Sequence, residues 1–310
     1  MKKILVTGAS GCIGSWVTLL LLQAGHQVVA GDISENTQRM QLVLGQALDH
    51  PNLTRIQLDV CDRHAVETLV QNEQFDGVIH LAALQIPLCK ANPMGCIDVN
   101  IKSHMIFLEL LREHRFNYCL ASSTAVYGPP IGRAFDEHEN IVPATLYGVF
   151  KYAAEEMSRI YHADYGVNSV ALRPWAVYGP GRDVGLTSDP TMALLHAAQG
   201  KPFHIRYHGA VGMEHAEDVA RAFVKATLDL QPGAKVYTLG GPVVPMEDIV
   251  SVINDLTGAK GLVSVDSEFL PVAGETADVG FQSDHGPFVY RDLRTGFQDT
   301  LKFWRARGVI

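Results

Sequence analysis

The sequence predicts an α/β fold: a doubly wound parallel sheet with helices on both faces, followed by a smaller C-terminal lobe. Strand-like apolar runs alternate with helical patterns over the first 175 residues, and this alternation breaks up after Pro174. The chain has 310 residues, of which 47% are hydrophobic, enough for one large core or two modest ones. We therefore predict a first domain over 1–175 and a smaller, substrate-binding lobe over 176–310, with part of 215–240 returning to the first domain.

Each element follows from the period and length of its apolar pattern. Strands are predicted at 3–7, 27–32, 54–59, 76–82, 117–122 and 168–173, and shorter ones near 203–206 and 235–239. Helices are predicted at 13–24, 38–48, 62–72, 94–114, 146–165, 190–199, 216–230 and 245–257. Ligands bind at the carboxyl ends of the strands in such a sheet, so polar residues that follow the strands are the candidates for a site.

A glycine-rich turn joins the first strand to the first helix, with the spacing G-x-x-G-x-x-G. Gly8 permits the tight turn, Gly11 lets the backbone approach a pyrophosphate, and Gly14 lets the helix pack closely on the strand. Free N–H groups and the helix dipole favour an anion at this position. The alternative, an ordinary turn that contains three glycines, is disfavoured by the strand–turn–helix context. We predict a Rossmann-type dinucleotide site that includes Gly8, Ser10, Gly11, Cys12, Ile13 and Gly14.

The second predicted strand ends in an acidic residue, which indicates the kind of dinucleotide. Asp32 lies about 20 residues beyond the glycine turn, where a carboxylate binds the adenosine ribose hydroxyls. A carboxylate there repels a 2′-phosphate, and no Arg or Lys lies between Asp32 and Arg39. We therefore predict NAD rather than NADP. The alternative is that Asp32 only caps the strand.

Tyr147 and Lys151 are four residues apart in a predicted helix and therefore share one face. A free phenol titrates near pH ~10, and a nearby ammonium favours the phenolate and makes it a better base. Alone the pair is a weak signal, because surface helices often contain this spacing. Hydroxyl residues after the fifth strand strengthen it, since they can hold a substrate oxygen beside Tyr147. Ser123 and Thr124 are predicted to contact substrate, and Ser122 to support them.

Other residues that follow strands are weaker candidates. Asp59, with Val60, is placed either to bind an adenine amino group or to cap the next helix. The small residues after His80 let backbone approach a cofactor, which adds Leu81, Ala82 and Ala83 to the predicted cofactor site. His80 itself is predicted to be a core histidine. Asn100 is assigned to the cofactor site, with a structural role in holding backbone as its alternative.

These residues, and the order in which they occur along the chain, resemble the motifs of a known family. It is the extended short-chain dehydrogenase/reductase group of the NAD-dependent epimerase/dehydratase type. The resemblance covers residues 1 to 181 and continues loosely around Glu217–Ala220. It rests on Thr7–Gly14, Asp32, Asp59–Val60, His80–Ala83, Asn100, Ser123, Val126–Gly128, Tyr147, Lys151, Arg173–Pro174 and Val177–Gly181.

The resemblance implies a role for each catalytic residue. Tyr147 removes the proton of a substrate hydroxyl while hydride leaves the adjacent carbon for the nicotinamide. Lys151 binds the nicotinamide ribose and, with the positive charge of NAD, lowers the pKa of Tyr147. Ser123 stabilises the substrate oxygen, and Pro174 and Val177 line the nicotinamide. A homodimer formed through the 94–114 and 146–165 helices is also implied.

The sequence departs from the family at positions that define its subclasses. Thr124 and Ala125 stand where dehydratases and decarboxylases of the family carry acidic residues, so elimination and decarboxylation are disfavoured. Val211 and Gly212 stand where nucleotide-sugar members carry Arg-Asp, and 270–280 contains no second arginine.

A diphosphate without arginine partners would forfeit its strongest hydrogen bonds, which argues against a UDP-sugar. Arg182, Arg206 and His215 are the alternatives for that role. Arg182 is also suited to hold a carboxylate or a hydroxyl-rich substrate, or it is a surface loop charge.

Three functions are compatible with these residues. The first is a dehydrogenase for a sugar or sugar acid that releases NADH, and the second is a UDP-sugar 4-epimerase with tightly bound, recycled NAD. The third is a regulatory NAD sensor, which the intact Ser123, Tyr147 and Lys151 oppose. The missing Arg-Asp favours the dehydrogenase, so we predict the dehydrogenase and keep the epimerase as the alternative.

Composition excludes several classes of protein. The net charge of −8, from 25 basic and 33 acidic residues, disfavours nucleic-acid and membrane-surface binding. No apolar run approaches the ~20 residues that span a bilayer, and the start MKKILV is too short for a signal peptide. The five cysteines show no paired metal-binding spacing, so we predict no metal site and reduced thiols in a cytoplasmic protein.

Overall fold

The computed structural model describes residues 1–128, 137–269 and 279–310. Its strands are β1 (Lys3–Thr7), β2 (Gln27–Asp32), β3 (Leu53–Gln57), β4 (Gly77–His80), β5 (Asn117–Ala121), β6 (Ser169–Arg173), β7 (Ala176–Tyr178), β8 (Phe203–Ile205), β9 (Ala210–His215), β10 (Ala234–Thr238), β11 (Val243–Pro245) and β12 (Val263–Val265). Its helices are α1 (Cys12–Gln23), α2 (Gln38–Leu44), α3 (Arg63–Glu73), α4 (Ile86–Ala91), α5 (Pro93–Ile97), α6 (Ser103–His114), α7 (Leu146–Tyr165), α8 (Asp189–Ala198), α9 (Ala216–Leu228), α10 (Met246–Thr257), α11 (Val279–His285) and α12 (Leu293–Ala306).

Seven strands form one parallel sheet in the order β10-β6-β5-β4-β1-β2-β3. Buried side chains of α1, α2 and α9 cover one face, and those of α3, α6 and α7 cover the other. The chain leaves β1 toward β2 on one side and returns to β4 on the other, so a crevice opens at the carboxyl ends of β1 and β4. The predicted Rossmann-type α/β fold is confirmed.

The C-terminal part of the chain contributes both to the large sheet and to a second core. β10 pairs with β6, and α9 packs on α1. The segment 216–238 therefore adds one strand to the large sheet and one helix to the layer that covers it. β11, β9 and β7 form a three-stranded sheet, and β12 pairs with β8. Their buried side chains pack with those of α8, α10 and α12 in a separate core. The division of the chain at residue 175 stays a prediction.

The predicted helix over 94–114 is three elements in the structure. α5 starts at Pro93, a turn of π-helix spans Asp98–Lys102, and α6 follows. Asn92 separates α4 from α5, because its side chain accepts a hydrogen bond from the Gly95 amide and caps α5. Residues 94–114 are thus helical throughout, as predicted, and only the π-helical turn within them was not indicated by the apolar spacing.

Two cysteines differ from the predicted reduced state. Cys89 on α4 and Cys96 on α5 form a disulfide, with their Cα atoms 5.3 Å apart. The turn at Asn92 and Pro93 folds these two short helices together, which brings the cysteines into reach. Cys12, Cys61 and Cys119 are thiols.

None of the helices in the described ranges combines the length and the apolar character needed to cross a membrane.

Candidate active site

The glycine turn is packed too tightly for side chains at two of its positions. Gly8 has a positive φ of 66°, and a Cβ there would lie 2.7 Å from the Ala82 amide nitrogen. A Cβ on Gly14 would overlap the Gly8 carbonyl oxygen. Gly11 is the N-cap of α1 and has no side chain to bond the first amides of the helix. These amides are thus left for an anion, and the backbone after β4 lies directly against the turn.

The carboxylate of Asp32 holds the backbone of the glycine turn and of the loop after β2. Its Oδ2 accepts from the Ser10 amide and its Oδ1 from the Ser34 amide, both at 2.9 Å. A cavity of about 300 Å³ opens here and is lined by Ser10, Ala30, Asp32, Ser34, Glu35, Thr37, Met40, Arg55, Ile56 and Gln57. Its place beside the glycine turn and its size fit the adenosine half of a dinucleotide.

Arg39, which is the first cation after Asp32, is engaged elsewhere. Its Nε donates to Asp183 Oδ1 at 2.8 Å, in the loop that follows β7. The guanidinium is therefore neutralised by another carboxylate and does not offset the charge of Asp32. This pairing supports NAD over a 2′-phosphorylated dinucleotide.

Hydrogen bonds settle the structural roles of two weaker candidates, Asp59 and His80, while the contact of Asp59 and Val60 with adenine stays a prediction. Asp59 accepts from the Cys61 amide at 2.9 Å, and Asp62 rather than Asp59 caps α3, so the capping alternative for Asp59 is wrong. His80 bonds Thr7 Oγ1 at 2.8 Å through Nδ1 and Ser103 Oγ at 3.0 Å through Nε2. Burial lowers the pKa of His80 well below its usual range, as expected of the predicted core histidine.

Asn100 holds backbone, as its structural alternative predicts, and its contact with the cofactor stays a prediction. Its Oδ1 accepts from the Leu84 amide and its Nδ2 donates to the Leu84 carbonyl, both at 2.9 Å. The second proton of the amide faces Cys89 Sγ at 3.6 Å. Asn100 is buried in the π-helical turn and fixes the loop after β4, which includes Leu81–Ala83. The contacts predicted for those three residues stay predictions.

The start of α7 places Tyr147 and Lys151 at the carboxyl end of β5. Thr145 caps the helix by accepting from the Gly148 amide at 3.1 Å. A Cβ on Gly148 would overlap the Ala125 carbonyl oxygen, so only glycine lets α7 lie this close to the loop after β5. Gly148, which lies between Tyr147 and Lys151, thus allows both side chains to reach the loop after β5.

Ser123, Tyr147 and Lys151 meet in the structure. Ser123 lies beside the Tyr147 phenol and lowers the pKa of Tyr147. Lys151 Nζ lies 5.5 Å from the centre of the Tyr147 ring and donates to the Ala121 carbonyl at 2.6 Å. One group that can exchange a proton, one hydroxyl beside it and one cation are therefore held together beside the crevice.

Burial dominates the acid–base properties of this cluster. Burial raises the pKa of Tyr147. Hydrogen bonding to Ser123 and the charge of Arg182 act in the opposite direction and lower it. Burial also lowers the pKa of Lys151 to about 8, against the charge of Glu155. Lys151 therefore remains mostly an ammonium near neutral pH. The positive charge of a bound nicotinamide would lower the pKa of Tyr147 further.

A buried ion pair supports the cluster, and sequence reasoning missed it. Glu155 lies one helical turn after Lys151, and Arg173 ends β6; both are almost completely buried. Arg173 Nε donates to Glu155 Oε1 at 2.8 Å, and Nη2 donates to Oε2 at 2.5 Å. Ser122 donates to the same carboxylate, as predicted for a supporting serine, and Arg173 also donates to the Tyr127 hydroxyl at 2.7 Å. The pair ties α7 to the ends of β5 and β6.

The remaining candidates lie in the loop after β5 and in or after β7. Thr124 Oγ1 is buried and donates to the Pro174 carbonyl at 3.4 Å, so its hydroxyl supports the loop in this structure. Val177 lies in β7 and is also buried. Arg182 Nη2 donates to Thr187 Oγ1 at 2.8 Å. The predicted contacts of these residues with substrate or cofactor stay predictions.

Arg182, Arg206 and His215 are considered as partners of a substrate diphosphate. Arg206 and His215 already bond other side chains of the protein. Arg206 donates to buried Asp189 through Nε at 3.0 Å and Nη2 at 2.7 Å. His215 is 3% exposed and bonds Arg291 Nη1 at 2.7 Å, and burial lowers its pKa to about 3. His215 is therefore not a cation near neutral pH, whereas the Arg206 side chain is 57% exposed beside its partner and its role stays a prediction. Residues 270–278, searched for a second arginine, lie outside the described residues.

Comparison with known proteins agrees with this geometry. The profile of the NAD dependent epimerase/dehydratase family matches residues 4–240, more than half of the chain. The UDP-glucose 4-epimerase 4 of Oryza sativa subsp. japonica is 33% identical over 286 residues, covering 84% of this chain and 78% of the relative. The UDP-glucuronate 4-epimerase of Thermodesulfobacterium geofontis is 28% identical, covering 84% and 82%.

A solved structure shows the same fold over the whole chain. The UDP-glucose 4-epimerase of Thermus thermophilus, in complex with NAD, superposes with a TM-score of 0.83 at 22% identity and covers 98% of this chain and 99% of its own. The glycine turn, the Ser123–Tyr147–Lys151 cluster and the family match lead to one conclusion. This chain belongs to the NAD-dependent epimerase/dehydratase family and is an NAD-dependent enzyme of the extended short-chain dehydrogenase/reductase type.

Proposed function

We propose that the enzyme is a dehydrogenase that oxidises a secondary hydroxyl of a carbohydrate-like substrate, a sugar or a sugar acid, and then releases the reduced cofactor. Bound NAD supplies the hydride acceptor for this reaction. The observation that carries the proposal is the grouping of Ser123, Tyr147 and Lys151 at the crevice, with Lys151 Nζ 5.5 Å from the centre of the Tyr147 ring. This arrangement is suited to a hydroxyl that loses its proton as its carbon is oxidised.

Each residue has one task in this proposal. Tyr147 takes the proton of the substrate hydroxyl, and Ser123 holds the same oxygen as it becomes a carbonyl. Lys151 holds the nicotinamide ribose and favours the phenolate of Tyr147 by its charge. Glycine turn amides hold the pyrophosphate, and Asp32 holds the adenosine ribose. Arg182 is proposed as a substrate contact.

The charges of the second lobe favour a dehydrogenase over a UDP-sugar epimerase. Val211 is fully buried where an arginine would hold a diphosphate, and Arg206 already carries a buried carboxylate partner. The epimerase remains the second candidate, because relatives with substantial coverage are named UDP-sugar 4-epimerases. Both candidates use Ser123, Tyr147 and Lys151.

An assay of products distinguishes the two candidates. The purified enzyme is incubated with NAD and, separately, with free sugars, sugar acids and UDP-sugars. A dehydrogenase accumulates reduced nicotinamide in proportion to a keto or lactone product. Conversion of a UDP-sugar to its epimer, with no accumulation of reduced nicotinamide, would favour the epimerase.

The choice of NAD is tested by replacing the carboxylate of Asp32. We expect Asp32→Asn to gain use of NADP relative to NAD by about tenfold, because the amide keeps the shape but loses the charge that repels a 2′-phosphate. The measurement is the ratio of kcat/KM for the two cofactors. Glu247→Gln, at an exposed acid in the first turn of α10, serves as the control and should leave the ratio close to that of the wild type. An unchanged ratio in Asp32→Asn would remove the ribose assignment.

We also propose a homodimer formed through α6 and α7. A groove of about 330 Å³ on this surface is lined by Arg63, Ile97, Ile101, Lys102, Met105, Ile106 and Glu109. Leu146, Val149 and Ile160 on α7 are each more than 40% exposed. A second copy of the chain would cover these apolar side chains.

The dimer is tested with a charge in the groove. Met105→Glu is expected to shift the protein from dimer to monomer in light scattering after size exclusion, because it places a carboxylate in the covered surface. Val289→Glu, at a 75% exposed position outside α6 and α7, is the control. A wild-type protein that runs as a monomer would overturn the proposal.

We propose a cytoplasmic location, as predicted from the sequence, although the Cys89–Cys96 disulfide removes the support that reduced thiols gave to this prediction. A dehydrogenase that releases reduced nicotinamide depends on other enzymes of the same compartment to reoxidise it. Fractionation of cells that express the protein tests this proposal, which recovery outside the cytoplasmic fraction would contradict.

A further inference from the structure

A short segment after β7 crosses the crevice at the carboxyl ends of β1 and β4. On the β1 side, Gly181 lies against the start of α1, since a Cβ there would be 3.8 Å from Cys12 Sγ. On the β4 side, Gly185 lies against the loop before α4, since a Cβ there would be 3.1 Å from Gln85 Oε1. The segment over 179–185, here called the strap, therefore touches both borders of the crevice.

The strap is anchored at its two ends and exposed in its middle. The Gly179 amide donates to Thr191 Oγ1 at 3.0 Å, and Ser188 Oγ donates to the Gly185 carbonyl at 2.6 Å. Gly179 and Gly185 have φ values of 108° and 101°, which glycine adopts without strain. Val184, between them, is 60% exposed. Such a segment can swing as a unit about its ends, as lids of active sites do.

A buried hydrogen bond holds the start of the strap. Trp16 Nε1, on α1, donates to the Pro180 carbonyl at 2.9 Å. Trp16 is 5% exposed, so water has little access to this bond while the strap is in place. We call this bond the inner latch. It ties the strap to the helix that begins at the glycine turn.

An ion pair on the surface holds the middle of the strap, and we call it the outer latch. Arg39 donates to Asp183 Oδ1 through Nε at 2.8 Å, and its Nη2 lies 2.7 Å from the same oxygen. Arg39 belongs to α2, whose Met40 lines the cavity assigned to the adenosine half of the cofactor. The outer latch thus joins the strap to an element of the cofactor site.

We propose that the strap is a gate for the dinucleotide, closed in this structure, and that the two latches set how often it opens. A dinucleotide that occupies both the adenosine cavity and the crevice beside Tyr147 has to enter and leave past the strap. The inference requires only that NAD binds in the crevice, so it holds for a dehydrogenase and for an epimerase alike. In a dehydrogenase the strap would limit cofactor exchange in each turnover, and in an epimerase it would retain the cofactor.

Rates of cofactor entry and exit test the proposal without turnover. The double variant Arg39→Gln with Asp183→Asn removes the outer latch and leaves the net charge unchanged. Binding of NADH is followed by its fluorescence after rapid mixing, and exit is followed by displacement with excess NAD. We expect both rate constants to rise about two- to fivefold, the range for loss of an exposed ion pair, and Kd to stay within about twofold. Both latch partners belong to the protein, so a weaker latch speeds passage in both directions.

Matched variants control for effects unrelated to the strap. Arg294→Gln with Asp255→Asn removes another exposed ion pair of 2.7 Å, between α12 and α10, and should leave both rates as in the wild type. Trp16→Phe removes the inner latch and should raise both rates by about three- to tenfold. Trp304→Phe removes a buried indole from the second core and controls for lost packing.

Hydrogen exchange reports opening of the strap itself. The Arg182 amide donates to the Gly179 carbonyl at 3.0 Å, and the Ser188 amide donates to the Gly185 carbonyl at 3.2 Å. Amides over 179–189 should exchange faster in the double variant Arg39→Gln with Asp183→Asn, and at the wild-type rate in the control pair.

Three results would overturn the proposal. The first is unchanged entry, exit or amide exchange in the variant without the outer latch. The second is an equal change in the control pair. The third is an exit rate that rises alone, with a matching rise in Kd, because the ion pair would then hold the cofactor rather than the strap.

Discussion

Tyr147→Phe is expected to reduce turnover by about 10³-fold while NAD affinity is largely retained. The phenol is the group that takes the substrate proton, and proton transfer by a positioned side chain contributes about 10²- to 10⁴-fold. The ring remains, so packing beside Lys151 and the start of α7 should be preserved. The measurements are kcat with the substrate found in the product assay and the Kd of NAD from fluorescence titration.

A matched tyrosine on the same helix provides the control for this variant. Tyr165→Phe, at the exposed end of α7, should leave both quantities close to those of the wild type. If Tyr147→Phe turns over substrate like Tyr165→Phe, then Tyr147 is not the acid–base group. Loss of NAD binding in Tyr147→Phe would instead show that the crevice had rearranged, and the kinetic result would then not isolate the proton transfer.

Glu155→Gln is expected to lower the free energy of unfolding by about 3–5 kcal/mol, because it leaves the guanidinium of Arg173 buried without its charge partner. Arg173 and Glu155 are 2% and 3% exposed and share two hydrogen bonds, so solvent cannot take over the role of the carboxylate. Urea unfolding followed by circular dichroism measures the change.

The double variant Glu155→Gln with Arg173→Met isolates the role of the charge. Removing both charges should recover at least half of the lost stability, since an apolar replacement of a whole buried pair is often tolerated. A loss below about 1 kcal/mol in Glu155→Gln would place the pair in the range of exposed ion pairs and contradict its supporting role. The same change removes the charge that raises the pKa of Lys151, so the lysine would lose its proton at a lower pH.

The parts of the molecule that depend on neighbours in sequence could be predicted. The glycine turn, Asp32 and the Tyr147–Lys151 spacing are local patterns whose geometry follows from a strand, a turn and a helix. The seven strands of the large sheet were all predicted because each is a short apolar run bounded by turn residues. Their ends shifted by one or two residues, as expected for element boundaries.

Features that depend on distant neighbours were missed. β7, β9 and β11 form one sheet, yet two of these strands have only three residues and carry little pattern of their own. Glu155 and Arg173 are 18 residues apart, and nothing in the sequence indicates that β6 ends against α7 at that point. The Cys89–Cys96 disulfide depends on the turn between α4 and α5, which the predicted continuous helix did not include.

The most direct test of the central claim is a rapid-mixing experiment on the enzyme loaded with NAD. A substrate identified in the product assay is mixed with the loaded enzyme, and absorbance of reduced nicotinamide is followed through the first turnover. Both the dehydrogenase and the epimerase require this band to rise in the wild type before or together with product, and to stay absent in Tyr147→Phe. Product formed by the wild type with no transient or lasting rise of the band would contradict a reaction by hydride transfer.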